Sequence, residues 1–132
     1  MTQEEKDLLL KDLCGRLPYG VKVTYNISGN HFRTISKICE YKTNYNSFKV
    51  EDGYIVGGYS IKPYLRSMSS MTEEEERTFQ AFLNFQAEYV SDADLDNKTD
   101  MFDWLLAHHF DFRNLIGKNL ALEAPEGMYK DE

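Results

Sequence analysis

Residues 21–27 alternate apolar and polar side chains without interruption, and this pattern constrains the fold more than any other part of the chain. The apolar positions are Val21, Val23, Tyr25 and Ile27. Because successive side chains of a strand point to opposite faces, the pattern predicts a β-strand with one buried face. Ser28-Gly29-Asn30 predicts a turn, and residues 31–41 predict the returning strand. The alternation of that strand is poorer, which indicates a bulge or an exposed edge.

Further short apolar segments extend this sheet. Residues 48–50 and 54–56 flank a Glu-Asp-Gly turn and predict a second hairpin. Residues 59–61 predict the last strand, which Pro63 ends or places at an edge because proline cannot donate to the ladder. The sequence therefore predicts an antiparallel meander of about four strands.

Helical patterns lie on both sides of the meander. Thr2 and Glu5 have the spacing of a capping box, and Gly15 predicts a left-handed stop for the first helix. Thr72 and Glu75 repeat the capping box before a second helix, whose apolar face continues to residues 89–90. Residues 91–98 predict an acidic loop, and a third helix is expected over 99–109, with Phe102, Leu105 and Leu106 facing inward. Asp111 could cap one more turn that stops at Gly117, residues 120–122 predict a short strand, and the chain is expected to fray from Pro125.

This order of elements predicts the fold class. Strands and helices are segregated along the chain, which is typical of an α+β fold. We expect an N-terminal helix, the meander, and two C-terminal helices packed on one face of the sheet. The length of 132 residues predicts a single globular domain over residues 1–132.

Composition favours a cytoplasmic protein. No segment approaches the roughly 20 apolar residues that span a bilayer, and the acidic N-terminal residues lack the apolar region of a signal peptide. We therefore expect no membrane partner. Cys14 and Cys39 predict small buried hydrophobic side chains, and the pattern leaves a disulfide between them open. No sequence motif indicates a cofactor.

Two segments carry a resemblance. Residues 61–75 (Ile-Lys-Pro-Tyr-Leu-Arg-Ser-Met-Ser-Ser-Met-Thr-Glu-Glu-Glu) and 104–129 resemble uncharacterised small proteins encoded in the genomes of gut Bacteroidetes and their phages. The similar segments cover about a third of the chain, and His-His-Phe-Asp-Phe-Arg at 108–113 is their most distinctive part. Ser67 stands where the family pattern has proline. The resemblance implies a cytoplasmic, phage-derived context and no particular chemistry.

A calcium site is one hypothesis for the acidic segment at residues 92–103. Its carboxylates are Asp92, Asp94, Asp96, Asp100 and Asp103. In a curled loop, alternate side chains can converge on one cation, which is the spacing of a calcium-binding loop. Asn97 replaces the usual glycine, and Asp103 is shorter than the usual glutamate. The alternative is a solvated interhelical loop in which Asp96 or Thr99 caps the next helix.

An acid–base or anion-binding cluster is a second hypothesis. His108, His109, Asp111 and Arg113 lie within six residues and combine groups that can exchange protons or bind an anion. This pattern predicts a small enzyme or a ligand-binding protein if the side chains converge. The alternative is structural, because histidines near a helix C-terminus satisfy free carbonyls and Arg113 would pair with Asp111 or another acid.

An uneven distribution of charge leads to the main functional hypothesis. Residues 1–71 carry ten Lys or Arg against seven Asp or Glu, whereas residues 72–132 carry five against fifteen. A basic, tyrosine-rich sheet predicts a protein-binding surface, because tyrosine and arginine are favoured at interfaces. The residues expected to contact a partner are Arg33, Tyr41, Tyr45, Tyr64 and Arg66.

We therefore interpret the sequence as a non-enzymatic protein–protein interaction module that associates with itself, the basic half of one copy facing the acidic half of another. Weak nucleic-acid binding by the sheet is an alternative. The net charge of −7 and the lack of a Lys/Arg-Gly-Phe-type signature make it less favoured.

Overall fold

A computed structural model describes residues 2–26, 33–42, 47–51, 55–57, 61–88 and 93–129. The helices are α1 (Gln3–Arg16), α2 (Glu73–Glu88) and α3 (Ala93–Ala107). The strands are β1 (Lys22–Asn26), β2 (Arg33–Lys42), β3 (Ser47–Val50), β4 (Ile55–Gly57), β5 (Ile61–Leu65) and β6 (Leu122–Glu123). The predicted α+β class, with an N-terminal helix, a meander and two further helices, is confirmed. No described helix combines the length and apolar character that crossing a bilayer requires.

The strands form one mostly antiparallel sheet. Within the described residues its order is β4-β3-β2-β1-β5-β6. The first four strands make the predicted meander, and β5 returns to pair antiparallel with β1. Among the described strands, only the short β6 runs parallel to its neighbour, which is β5, and Tyr64 pairs there with Leu122. Residues 27–32, 43–46, 52–54 and 58–60, which include the predicted turn at 28–30 and part of the predicted Glu-Asp-Gly turn, lie outside the described residues.

The end of α1 differs from the prediction. The capping box is confirmed, because the Thr2 side chain accepts from the Glu5 backbone and the Glu5 side chain accepts from the Thr2 backbone. Gly15, however, is not the stop, since α1 continues to Arg16 and a 3-10 turn follows at Leu17–Tyr19. Gly20 adopts the left-handed conformation instead, with φ of 67°. It turns the chain directly into β1.

Pro63 lies inside β5, so the prediction that it ends the strand is wrong, but on one side β5 has no partner strand at this residue, as the predicted edge position requires. It pairs with Val23 of β1. The carbonyl of Leu65, two residues along, faces away from β1 and accepts from the Ala124 N–H. By the alternation of a strand, the Pro63 nitrogen faces the same way, and β6 pairing starts only at Tyr64. The missing N–H therefore costs the sheet no ladder hydrogen bond.

The predicted irregularity of β2 is confirmed as a register shift between Ile38 and Glu40. Ile38 pairs with Val50 and Tyr41 with Phe48 across this shift. The extra residue changes which side chains face inward beyond it. The Tyr41 ring consequently packs on Phe48 at the core side, with centroids 5.1 Å apart.

The main core lies between the sheet and α1. The strand and its inward face are confirmed by Val23 and Tyr25, which are 0% and 1% exposed, but Thr24 on the opposite face is buried as well, at 2%. Buried side chains from the strands meet Leu9 and Leu13 of α1 and Leu115 and Leu120 of the chain after α3. Cys14 is half-buried at this core, whereas Cys39 is exposed, contrary to the prediction, and both are free thiols.

A second core cluster holds α2 and α3 together. The capping box at Thr72 and Glu75 is confirmed by both hydrogen bonds. The prediction of a loop over 91–98 is wrong for residues 93–98, because α3 already begins at Ala93. In α3, Leu105 and Leu106 are buried as predicted, together with Met101, whereas Phe102 is 42% exposed. Leu83 of α2 is also exposed, and residues 89–92 lie outside the described residues.

The chain beyond Pro125 is folded up to residue 129, which corrects the prediction of fraying. The Tyr129 hydroxyl accepts from the Lys22 backbone N–H at 2.9 Å and donates to the Tyr64 carbonyl at 2.7 Å. These two groups belong to β1 and β5, just beyond the last backbone pair, Val23 and Pro63. The phenol therefore replaces one rung of the ladder between the two strands.

A buried ion cluster joins α1 to the chain that follows α3. Asp12, which is 0% exposed, accepts from Arg16 at 2.7 and 3.1 Å and from Arg113 at 2.6 Å. Arg16, also 0% exposed, donates to the Phe110 carbonyl at 2.7 Å. We call Asp12, Arg16 and Arg113 the Asp12 cluster. The Asp12 carboxylate pairs with two guanidinium groups, so the cluster depends on its negative charge.

We expect Asp12→Asn to lower the free energy of unfolding by about 3–5 kcal/mol, because it leaves the buried Arg16 without a counter-charge. Urea unfolding measures the difference. Asp7→Asn on the same helix is the matched control, since Asp7 is exposed and accepts only from the Gln3 side chain. The control should change stability by less than about 0.5 kcal/mol. Equal stability of the two variants would contradict a structural role for the cluster.

Candidate functional site

A cavity of about 860 Å³ lies beyond the ends of β5 and β6. Its walls come from the start of α2, the end of α3, the 3-10 turn after α1 and residues 123–129. The lining includes the side chains of Tyr19, Arg66, Glu75, Ala107, His108, His109, Glu123, Glu126 and Tyr129. We call this space the His108 cavity. Its size is in the range of sites for small molecules, which makes it the candidate site.

Arg66 is fixed on one wall by both its backbone and its side chain. Its N–H donates to the His109 carbonyl and its carbonyl accepts from the Asp111 N–H, both at 2.8 Å. The guanidinium donates to both Glu75 carboxylate oxygens, at 2.8 and 2.7 Å. It also lies 4.3 Å from the centre of the Phe110 ring. This paired and stacked geometry leaves the arginine little freedom.

Glu75 connects that wall to the start of α2. Besides pairing with Arg66, one of its oxygens accepts from the Thr72 N–H at 2.9 Å. The hydrogen bonds from Arg66, followed by the bond from Thr72, lower the pKa of Glu75 to about 2, against the smaller opposing effect of burial. The carboxylate is therefore ionised throughout the neutral range and cancels the charge of Arg66.

His108 is the lining imidazole that remains available. It packs edge-on against Trp104, with ring centroids 4.8 Å apart, and near Phe110. Burial lowers the pKa of His108 below its usual value of 6.5 and outweighs the opposing influence of Glu75. The ring is therefore neutral at pH 7, with one N–H donor and one acceptor nitrogen. Its nitrogens make no hydrogen bond to another described residue.

His109 occupies a position at which glycine is usual. Its φ is 65°, and the bonds from His109 to Leu106 and from Phe110 to Leu105 form the Schellman pattern that ends α3. The reversal buries the imidazole, which stacks on the Tyr129 ring with centroids 3.7 Å apart. The left-handed residue thus joins the end of α3 to residues 123–129.

The structure does not bring the predicted cluster of His108, His109, Asp111 and Arg113 into one site. The two histidines line the cavity, but Asp111 accepts from the Leu115 and Ile116 N–H groups at 2.8 and 2.9 Å. It caps the following turns, as the sequence suggested. Arg113 pairs with Asp12. The convergence that this hypothesis requires is therefore not met, the structural alternative in which Arg113 pairs with another acid is confirmed, and the charged groups near His108 are Arg66 and Glu75.

The residues predicted to contact a partner are also divided. Arg66 lines the cavity, Tyr64 is half-buried and its carbonyl is bound by Tyr129, and Tyr41 packs toward the core. Arg33 begins β2, but its side chain, like all of Tyr45, lies outside the described residues. The structure thus assembles no common surface from the described members of this set.

The acidic segment is helical rather than curled. Asp94 and Asp96 lie in α3, with side chains outside the described part of the structure, and Asp103 is exposed on the same helix. Asp92 lies outside it altogether. Among the described residues, no three His, Cys, Asp or Glu side chains are placed to hold a metal ion. Calcium binding by Asp92, Asp94, Asp96 and Asp103 stays a prediction without the loop geometry that suggested it.

Sequence reasoning missed the wall formed by residues 123–129. The chain was expected to fray from Pro125, whereas Gly127 makes a left-handed turn with φ of 85°. The sequence signal for this wall was Tyr129, because a large aromatic side chain after a proline–glycine turn is stabilised by packing back onto apolar surface. Tyr19 was likewise not recognised as a lining residue. No protein-family model matches the chain, and neither a curated protein nor a solved structure is similar to it.

We expect Arg66→Gln to raise the pKa of Glu75 from about 2 toward its ordinary value of 4.5. A lowered carboxyl pKa stabilises the fold above pH 4.5, and this contribution is lost as the pH falls toward 2. The variant should therefore lose less stability than the wild type over that interval. A carbon-13 NMR titration of the Glu75 carboxyl measures the pKa. Arg77→Gln is the control, because the exposed Arg77 pairs with Glu73 at 3.8 Å, and an equal effect of both variants would contradict the assignment.

Proposed function

We propose that this protein is a non-enzymatic binding module whose ligand occupies the His108 cavity. The observation that carries the proposal is a neutral imidazole with unbonded nitrogens, set in a cavity of about 860 Å³ beside a fixed arginine–glutamate pair. A few oriented polar groups within largely apolar walls are the usual composition of a small-molecule site.

The backbone at His109 supports this proposal. A left-handed conformation is disfavoured for a residue with a side chain, and glycine would relieve the strain. Histidine at this position instead supplies a ring that fixes Tyr129 and closes one wall of the cavity. Backbone strain that builds a cavity wall is typical of functional sites.

The hydrogen bonds that the charged groups already make favour binding over catalysis. Glu75 is held by Arg66, Asp111 by two backbone N–H groups, and Arg113 by Asp12. Each would have to break a charge-assisted hydrogen bond before it could exchange a proton with a substrate. His108 is left as a contact group that can orient a ligand through its donor and its acceptor.

We expect Ala107→Leu to abolish ligand binding, because the added carbons enter the cavity that Ala107 lines. The measurement is an NMR screen of a diverse small-molecule library, observing the His108 ring resonances. Ala81→Leu is the matched control, since Ala81 is an exposed residue of α2. The proposal fails if no compound shifts the His108 resonances, or if those that do bind the Ala107→Leu variant equally well.

Self-association through the sheet is a second candidate, favoured by the strand register. Lys22 pairs with Lys37, and Thr24 pairs with Lys62, so the three lysines share the face opposite Val23 and Tyr25. Lys22 and Lys62 each donate to a neutral group, the Met128 carbonyl and the Asn119 side chain, so these bonds leave their positive charges in place to favour an acidic partner surface. The exposed Glu73, Glu74 and Glu76 at the start of α2 provide such a surface on a second copy.

If copies associate in this way, sedimentation velocity should show a dimer at low ionic strength that dissociates as salt is added. Lys62→Glu should shift the protein to monomer, whereas Lys11→Glu, on the exposed side of α1, should not. A monomer at low salt and high protein concentration would contradict the candidate, as would equal effects of the two variants.

A further inference from the structure

We infer that the His108 cavity selects an aromatic amine, a ligand that combines a flat apolar ring with a protonated nitrogen. This inference rests on the proposed function and adds the chemical class of the ligand. Three features of the cavity support it: the charge of the lining, the protonation state of His108, and the ammonium group of Lys22, which the wall at residues 123–129 already binds.

The formal charge of the lining is negative. Among the described lining residues, Arg66 and Glu75 cancel each other, which leaves the carboxylates of Glu123 and Glu126. Both lie on the exposed wall made by residues 123–129. Two uncompensated carboxylates attract a cation entering the cavity and repel an anion. The guanidinium of Arg66 does not reverse this preference, because its fork is occupied by Glu75.

His108 offers a matching contact. A neutral imidazole has one acceptor nitrogen, which an ammonium N–H can use. The charged groups that act on the ring are Glu75 from α2 and Arg66 from the end of β5, and Trp104 and Phe110 cover it. Protonation of His108 would remove the acceptor and add a like charge. Affinity for an amine should therefore fall as the pH is lowered through the titration of His108.

The wall formed by residues 123–129 already binds an ammonium group on one side. Lys22 Nζ donates to the Met128 carbonyl at 2.8 Å and lies 5.5 Å from the centre of the Tyr129 ring. Carbonyl oxygens and an aromatic face are the groups that commonly receive organic cations. Even when the charge of Lys22 is counted with the lining, the sum stays at one negative charge.

The remaining lining favours an aromatic body. Tyr19, Ala107, Pro125 and Met128 supply apolar contact area, and the cavity is larger than a simple amine would fill. A flat ring buries apolar surface against these side chains while its amine reaches His108 or the two glutamates.

Tryptamine and indole-3-propionate test the inference, because they share the indole ring and differ in the sign of the charge. Titration calorimetry at pH 7.5 should show tryptamine binding at least about tenfold more tightly, the effect of roughly 1.4 kcal/mol of charge interaction. In the Glu123→Gln/Glu126→Gln variant this preference should fall to within about threefold. Glu73→Gln/Glu74→Gln on the exposed start of α2 is the control and should retain the full preference.

The outcomes separate the two proposals. Tighter binding of indole-3-propionate, or an unchanged preference in the Glu123→Gln/Glu126→Gln variant, overturns selection for an amine. Binding of either compound that is lost in Ala107→Leu still supports a ligand in the His108 cavity. If neither indole binds while other library compounds shift His108, the amine class is wrong and the site stands. If nothing in the library shifts His108, both proposals fail.

Discussion

The carboxylate of Asp12 is the interaction on which the rest of the structure depends. It lies fully buried on α1 and holds two arginines, one from its own helix and one from the chain after α3. Arg16 extends this contact to the Phe110 carbonyl. Burial of Asp12 and Arg16 is tolerated because each finds an oppositely charged partner, while Arg113 stays partly exposed. The cluster thereby sets the position of α1 relative to the segment that closes α3.

The candidate site depends on the same segment, through Phe110 and its two neighbours in the sequence. Phe110 sits between the Asp12 cluster and the guanidinium of Arg66, and the backbone of its two neighbours is bonded to Arg66. Arg66 in turn orders Glu75 and so the start of α2. The contacts that join α1 and the end of α3 to the start of α2 therefore also shape the cavity.

Local patterns predicted the elements whose cause is local. Two capping boxes, the strand at β1 and the irregularity of β2 follow from neighbouring residues, and all four are confirmed. For Pro63 the sequence left two outcomes open, the end of a strand or an edge position, because the choice depends on where pairing with β6 begins. The site was misjudged for a similar reason. Asp12 and Arg16 are four residues apart and readable as a helical pair, but Arg113 lies 101 residues away, so no local pattern shows that it is already engaged.

The rung that Tyr129 supplies has a consequence for how the chain acquires its fold. The hydroxyl that satisfies the Lys22 N–H comes from a residue 107 positions later in the sequence. During synthesis, β1 and β5 therefore leave the ribosome before this phenol does. A contact over so many residues costs more chain entropy to close than a hairpin does. The meander by itself thus leaves this rung open, and a side chain rather than another strand completes it.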